Sequence, residues 1–351
     1  WLATEIGGPF NGSWLAQVCN ETTWRSDVAL HMTHSRGGLA NVRGTILDFL
    51  HFAIRTGTAH LVLPSYVKRT DTSLDWMDES NGYWPFSNLF DDVWFLDTMK
   101  THCPQVTFYG NVTDVPATAF VEPDYEIHTA RPDKRPDESI AATAAHFAAW
   151  LADNPAGYQP GLLNLVNVGA TLWAFDMMTS PRMRLVLGRM CKINPRIREL
   201  AATATWNLRG LHNLSETLDP RDQIYQDAFY GMHLRTEADA STVNWDSQFG
   251  GFDSQTDIHL EKCQGLGLQV IYVASGNQED IERFKEKAMD RANITVVSKK
   301  DLITDPDDQA VLDGMTWDQH GALDWEVLAR STYFSGPVMS SFSWNLAYRR
   351  N

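Results

Sequence analysis

The stretch DVALHMTHSRGGLANVRGTILDFLHFAIRTGTAHLVLPS, Asp27 to Ser65, decides the fold class. Its first part, DVALHMTH, reads as a short strand, and SRGGLAN after it as a glycine turn. RGTILDFLHFAIRTG then places Ile46, Phe49, Leu50, Ala53 and Ile54 on one face of a helix, and AHLVLPS is a second strand. Strand, helix and strand in this order predict a βαβ unit, because parallel strands need a crossover between them.

The pattern recurs late in the chain. LQVIYVAS (Leu268 to Ser275) reads as a buried strand, and GNQEDIERFKEKAMDRA as a helix with an acidic start and with Ile281, Phe284 and Ala288 inward. NITVVS supplies the next strand. Two α/β halves are therefore expected. Between them an Ala- and Leu-rich region, Ser139 to Leu211, reads as helical, broken by Pro160, Pro181 and Pro195. The polar stretch LSETLDPRDQ, Leu214 to Gln223, marks the boundary, giving domains of 1–215 and 216–351.

Composition narrows the classes. A chain of 351 residues with 43% apolar residues can bury two cores. It has no run of eighteen apolar residues, and Trp1 to Gly8 does not read as a signal peptide. A net charge of -15 excludes nonspecific nucleic-acid binding, which needs a field of Lys and Arg, so an anionic ligand would require a local cationic pocket. The 13 Trp and 10 Tyr suit sugars and other amphipathic ligands, although large aromatics also simply fill cores.

Asn-X-Ser/Thr sequons stand at Asn11, Asn20, Asn111, Asn213 and Asn293. Cys19, Cys103, Cys191 and Cys263 are widely separated, with no close pair to hold zinc. Two long-range disulfides in an oxidising lumen fit both observations; four buried thiols in a cytosolic enzyme are the alternative.

Three places could carry chemistry. HSRGGLANVRG, His34 to Gly44, is a strand-to-helix turn whose glycines let backbone amides approach an anion. It lacks the three-glycine spacing of a dinucleotide fingerprint and the Gly-Lys-Ser/Thr ending of a phosphate loop. In FYGMHLRTEADAS, Phe229 to Ser241, a strand-like start leads into His233, Arg235, Glu237 and Asp239, which alternate and would share one side of an extended segment. Arg235 could fork onto a diphosphate, or pair with Glu237 or Asp239 as a surface ion cluster. In ALDWEVLARSTYFSGPVMSSFSWNLAYRR, Ala322 to Arg350, a helix and a short strand precede a last helix. Ser340 and Ser341 are placed to cap that helix, and its first amides could hold a phosphate. DPDD, Asp305 to Asp308, contains the Asp-X-Asp pattern of metal-dependent transferases but reads as a turn around Pro306.

Four blocks together resemble the O-fucosyltransferase-like family. GGLANVRGTILDFLHFAIRTGTAHLVLP is similar to its amino-terminal motif, FSNLFDDVWFL to its Phe-Asp block, HLRTEAD to its His-Leu-Arg signature and ALDWEVLARSTYFSGPVMSSFS to its closing motif. They occur in the family's order. The resemblance implies a GT-B fold, two Rossmann-like domains facing each other across a cleft, with the acceptor on the N-terminal side and the nucleotide sugar on the C-terminal side. It implies an inverting, metal-independent glycosyltransferase of the secretory-pathway lumen that moves fucose from GDP-fucose to a protein or glycan hydroxyl. Membrane attachment would come only through an N-terminal anchor outside this chain. By position, Arg235 would bind the diphosphate, and His233 and Asp324 the guanosine portion. Ser340, Ser341 and Phe342 would wrap the phosphates, with Gly37, Gly38 and Asn41 contributed by the first domain.

The match departs from the family at the glycine turn, where Ala40 precedes Asn41 and no acid is present. Glu237, His34, Asp91 and Asp92 remain as candidates for the base, with Glu237 grouped with Arg235 as catalytic. A GDP-mannose or rhamnose donor, or a catalytically silent binding protein with the same fold, are the alternative readings.

Overall fold

The computed structural model describes residues 8–33, 35–70, 79–117, 119–125, 140–153, 155–170, 181–211, 214, 222–237, 240 and 250–350. Two compact units divide the chain, one running from Phe10 to Asn194 and the other from Pro195 onward, with Gly8, Pro9, Arg69 and Thr70 counted in the second.

The first unit opens with α1 (Ser13–Glu21), β1 (Arg25–Met32), α2 (Leu39–Thr56) and β2 (Thr58–Val62), the expected βαβ unit. The hairpin β3 (Ser65–Val67) and β4 (Tyr83–Pro85) follows, then α3 (Asp92–His102), β5 (Thr107–Tyr109), β6 (Ala119–Tyr125), α4 (Ile140–Ala152), β7 (Asn164–Val168) and α5 (Pro181–Met190). All five strands of the main sheet are parallel, in the order β5-β2-β1-β7-β6.

Two expectations change here. Helix α2 starts at Leu39, ahead of the expected Arg43, with Gly38 in the extended conformation at its N-cap. It is buried on nearly every side and not along one stripe, since β2, α4 and α5 all pack against it. The second correction is β7, which lies inside the region read as helical. Asn164 to Val168 pair with Val28 to Met32 of β1, so a central strand was hidden among helix-forming neighbours. Five residues cannot establish a period, and a strand covered on both faces need not alternate.

The second unit contains α6 (Pro195–Leu208), β8 (Tyr230–His233), α7 (Phe252–Gly265), β9 (Val270–Ala274), α8 (Gln278–Ala292), β10 (Thr295–Val297), α9 (Lys299–Leu302), α10 (Pro306–Asp313), α11 (Trp317–Leu328), β11 (Tyr333–Ser335) and α12 (Ser341–Arg350). Its four strands are parallel, in the order β10-β9-β8-β11. Tyr230, Met232, Ile271 and Val273 from the sheet bury against Leu260, Ile281, Phe284 and Ala288 of α7 and α8. By contact α6 groups with this unit, because it packs on α11 and α9. DPDD is a helix start and not a free turn: the Asp305 carboxylate accepts the amides of Asp307 and Asp308, and Pro306 takes the first helical position, where no amide is needed.

One disulfide joins Cys19 of α1 to Cys103 just past α3. Cys191 and Cys263 are free and buried, one in each unit, so neither the two-disulfide nor the four-thiol expectation holds. Asn11, Asn20, Asn111 and Asn293 are exposed, and Asn213 falls outside the described residues. Among the described residues no helix is long and apolar enough to cross a membrane.

Candidate functional site

In an open parallel sheet, ligands bind beyond the carboxyl ends of the strands, where the connections diverge to opposite sides. In the second unit that point lies between β8 and β11, since the chain proceeds from β8 outward to β9 and β10 and returns to β11 on the other edge. The expected site residues of this half gather there. His233 is the last residue of β8 and is buried. Its Nδ1 lies 2.9 Å from the Ser343 Oγ of α12, and its ring centroid is 4.7 Å from that of Phe342. Phe342 in turn meets Trp325 edge-on at 5.4 Å. The first turn of α12, with Ser341 as its first residue and the Ser340 carbonyl accepting the Trp344 amide, is thereby seated at the mouth of β8.

Gly336 makes this approach possible. A Cβ built there would stand 2.5 Å from Ser343 Oγ and 2.9 Å from His233 Cβ, so only glycine lets the turn after β11 pass between them.

Arg235 and Glu237 follow the strand. The expected alternation along an extended segment stops at His233, where β8 ends, yet the two side chains still meet, Arg235 Nη1 donating to Glu237 Oε2 at 2.5 Å. Glu237 Oε1 accepts the Gly276 amide at 2.6 Å and the Ser275 hydroxyl at 3.2 Å. The Arg235 side chain keeps 18% of its surface exposed and that of Glu237 9%, so this is no loose surface pair. Between them the Thr236 hydroxyl is buried without a partner among the described residues. Asp239 falls outside those residues.

Burial pushes His233 down to about 4, with Arg235 adding to the effect and Glu237 opposing it, so the imidazole is neutral at pH 7. Burial alone would raise Glu237, but Arg235, His233 and the Gly276 amide outweigh it and hold the carboxyl below its usual range. Asp324, on α11, is set deeper. Its two oxygens accept from Tyr272 Oη at 2.7 Å and Lys299 Nζ at 2.6 Å; burial pushes its carboxyl up while Lys299 pulls it back.

The first unit has its own divergence point, between β1 and β7. Gly37 and Gly38 lie there, on the turn from β1 into α2, with Asn41 in the first turn of that helix. Gly37 has φ +89°, and a Cβ on it would come within 2.7 Å of Asn41 Nδ2, so the asparagine lies directly over the turn. Arg43, part of the same motif, donates to the Gly188 carbonyl at 2.7 Å and so anchors α5. Asp91 caps α3 by accepting the Trp94 amide at 2.9 Å; Asp92 lies in the first turn of α3; His34 is outside the described residues.

Reading the sequence missed Gln255, Ser275, Gly276, Lys299, Gly336 and Ser343. Gly336 and Gly276 both follow strands, which is the one signal that could have found them. Gln255 and Lys299 touch the site only through side-chain bonds that no spacing announces.

Two doubly wound parallel sheets in two units make the chain a protein of the GT-B type. The profile of the GDP-fucose protein O-fucosyltransferase family matches residues 30–248, and the chain belongs to that family. Among solved structures it is similar to POFUT1 in complex with GDP-fucose, at 16% identity over 93% of this chain and 95% of that one, with a TM-score of 0.54. It is also similar to two GDP complexes of POFUT1, each at 15% identity and over 93% of this chain, with TM-scores of 0.54 and 0.51 and coverage of 96% and 95% of those chains. At such identity the likeness is one of fold. No curated protein matches the chain in sequence.

Proposed function

We propose that the protein is an inverting, metal-independent O-fucosyltransferase that takes fucose from GDP-fucose and passes it to a hydroxyl of a protein or glycan. The observation that carries this reading is the His233–Ser343 contact, which sets the N-terminus of a ten-residue helix two residues from Arg235 at the divergence point of the second sheet. A helix N-terminus and a guanidinium are each suited to phosphate oxygens, and both belong to the end of β8.

In this role Arg235 grips the diphosphate and stabilises the charge that grows on it as the sugar departs. The first amides of α12, with Ser340, Ser341 and Phe342, enclose the phosphates. His233, neutral and fixed by Ser343, meets the guanosine portion, and Asp324 supports that end from below. Together the cation and the helix dipole supply the charge stabilisation that a metal provides in other transferases. Inversion requires the acceptor hydroxyl to attack the anomeric carbon opposite the departing diphosphate. The Cys19–Cys103 bond and the exposed sequons support a place in the secretory-pathway lumen.

The test is a thermal-shift panel with GDP, UDP and their sugars, followed by turnover. A ligand of the folded state raises its midpoint, so GDP and GDP-fucose should shift it and UDP should not. GDP-fucose should then be consumed with an acceptor present. No shift with any guanine nucleotide ends the reading; a GDP shift with turnover of GDP-mannose alone changes the donor.

A further inference from the structure

Beyond His233 the second sheet runs out of neighbours. The Leu234 amide still reaches the Ala274 carbonyl at 2.9 Å, but β9 ends at Ala274. At Arg235 the next rung is made by a side chain. Gln255, on α7, accepts the Arg235 amide at 3.1 Å and donates to the Arg235 carbonyl at 3.0 Å, and it also donates to the Gly250 carbonyl at 3.0 Å. A carboxamide has one acceptor oxygen and two N–H donors, so this buried side chain is used in one orientation only. It mimics a neighbouring strand and fixes the backbone of Arg235.

The other end of the arginine is held by Glu237. That carboxylate is anchored by the turn after β9, through the Gly276 amide and the Ser275 hydroxyl. The turn is itself wedged against the Trp317 ring, which leaves no room for a Cβ at Gly276.

We propose that Gln255 and Glu237 are positioning residues, two jaws of a clamp that hold the Arg235 guanidinium ready for a nucleoside diphosphate, and that Glu237 serves Arg235 instead of acting as base toward the acceptor. The inference rests on the donor reading given under Proposed function. Its physical basis is preorganisation: a long side chain ordered before binding does not lose its rotamer freedom at binding. A carboxylate with three donors on it, held below its usual pKa, is also a poor proton acceptor.

The experiment is a double-mutant cycle on GDP affinity by calorimetry, using the wild type, Glu237→Gln, Gln255→Leu, Arg235→Ala and the two doubles with Arg235→Ala, each checked for folding by its melt. The clamp predicts that each jaw variant weakens GDP about tenfold, the scale of the rotamer freedom a long side chain loses when it is ordered at binding, and costs nothing further once Arg235 is alanine. The acid limb of the rate profile should survive in Glu237→Gln. A jaw penalty that persists without Arg235, wild-type GDP affinity in both jaw variants, or loss of the acid limb would overturn the clamp. Wild-type protein that binds no GDP would instead remove the donor reading, and the clamp with it. Should Glu237→Gln not fold, the Gln255→Leu cycle decides alone.

Discussion

Replacing Gly336 by alanine adds one methyl group at the tightest point of the site. That methyl would lie 2.5 Å from Ser343 Oγ, 2.9 Å from His233 Cβ and 3.3 Å from Ser343 Cβ. Carbon atoms in good contact are about 3.5–4.0 Å apart, so the turn after β11 and the end of β8 must separate by roughly 1 Å. Overpacking of this kind costs about 1–3 kcal/mol. Breaking the buried His233–Ser343 bond adds about 1 kcal/mol. For a protein of this size the sum lowers the melting midpoint by roughly 5–10 °C. The backbone of Gly336 lies outside the left-handed region, so the cost is steric and not conformational. Gly321 of α11 is the internal control, since a Cβ there meets nothing within 4 Å and the same substitution should stabilise by up to about 1 kcal/mol. The assay is a pair of thermal melts together with GDP affinity. Gly336→Ala should melt lower and bind GDP more weakly, Gly321→Ala should do neither, and two variants that behave alike would refute the packing described at the mouth of β8.

Three further outcomes can be checked. Burial pushes His233, His259 and His320 down to about 4 from an ordinary 6.5; the unfolded chain therefore takes up protons first as pH falls, and stability should drop between about pH 6.5 and 4, by roughly 3 kcal/mol for each of His233 and His259. The lowered carboxyl of Glu237 acts in the same direction below its usual range, so urea melts that stay constant from pH 7 to 5 would contradict these burials. Burial also pushes the Cys191 and Cys263 thiols up to about 12, so the native protein should show no reactive thiol and the denatured, unreduced protein two; reducing Cys19–Cys103, which closes 84 residues, should cost roughly 4–5 kcal/mol on a chain-entropy argument. Lys299→Met should destabilise by about 3–5 kcal/mol because it strands Asp324, and adding Asp324→Asn should recover part of that loss in the same melts.

What could be read from residues alone was set by length and period. The βαβ unit around α2 and the late strand-helix-strand set were legible because each has a long amphipathic or apolar run bounded by turn residues. β7 was not, since five residues among helix formers carry no usable period. The site was half legible. His233 and Phe342 sit in motifs next to strand ends, and the fold brings their rings together within the second unit. Gln255 and Lys299 could not be found, because their connection to Arg235 and Asp324 exists only once α7 and α9 have packed on the sheet. The pairing of cysteines was equally closed: the bridge depends on α1 lying beside the end of α3, a matter of packing and not of spacing.

A crystal structure of the protein with GDP addresses the central claim most directly. It should show the diphosphate beyond the carboxyl ends of β8 and β11, within hydrogen-bond reach of the Arg235 guanidinium and the first amides of α12. A nucleotide seated elsewhere, with Arg235 bonded to Glu237 and to no phosphate oxygen, would contradict it.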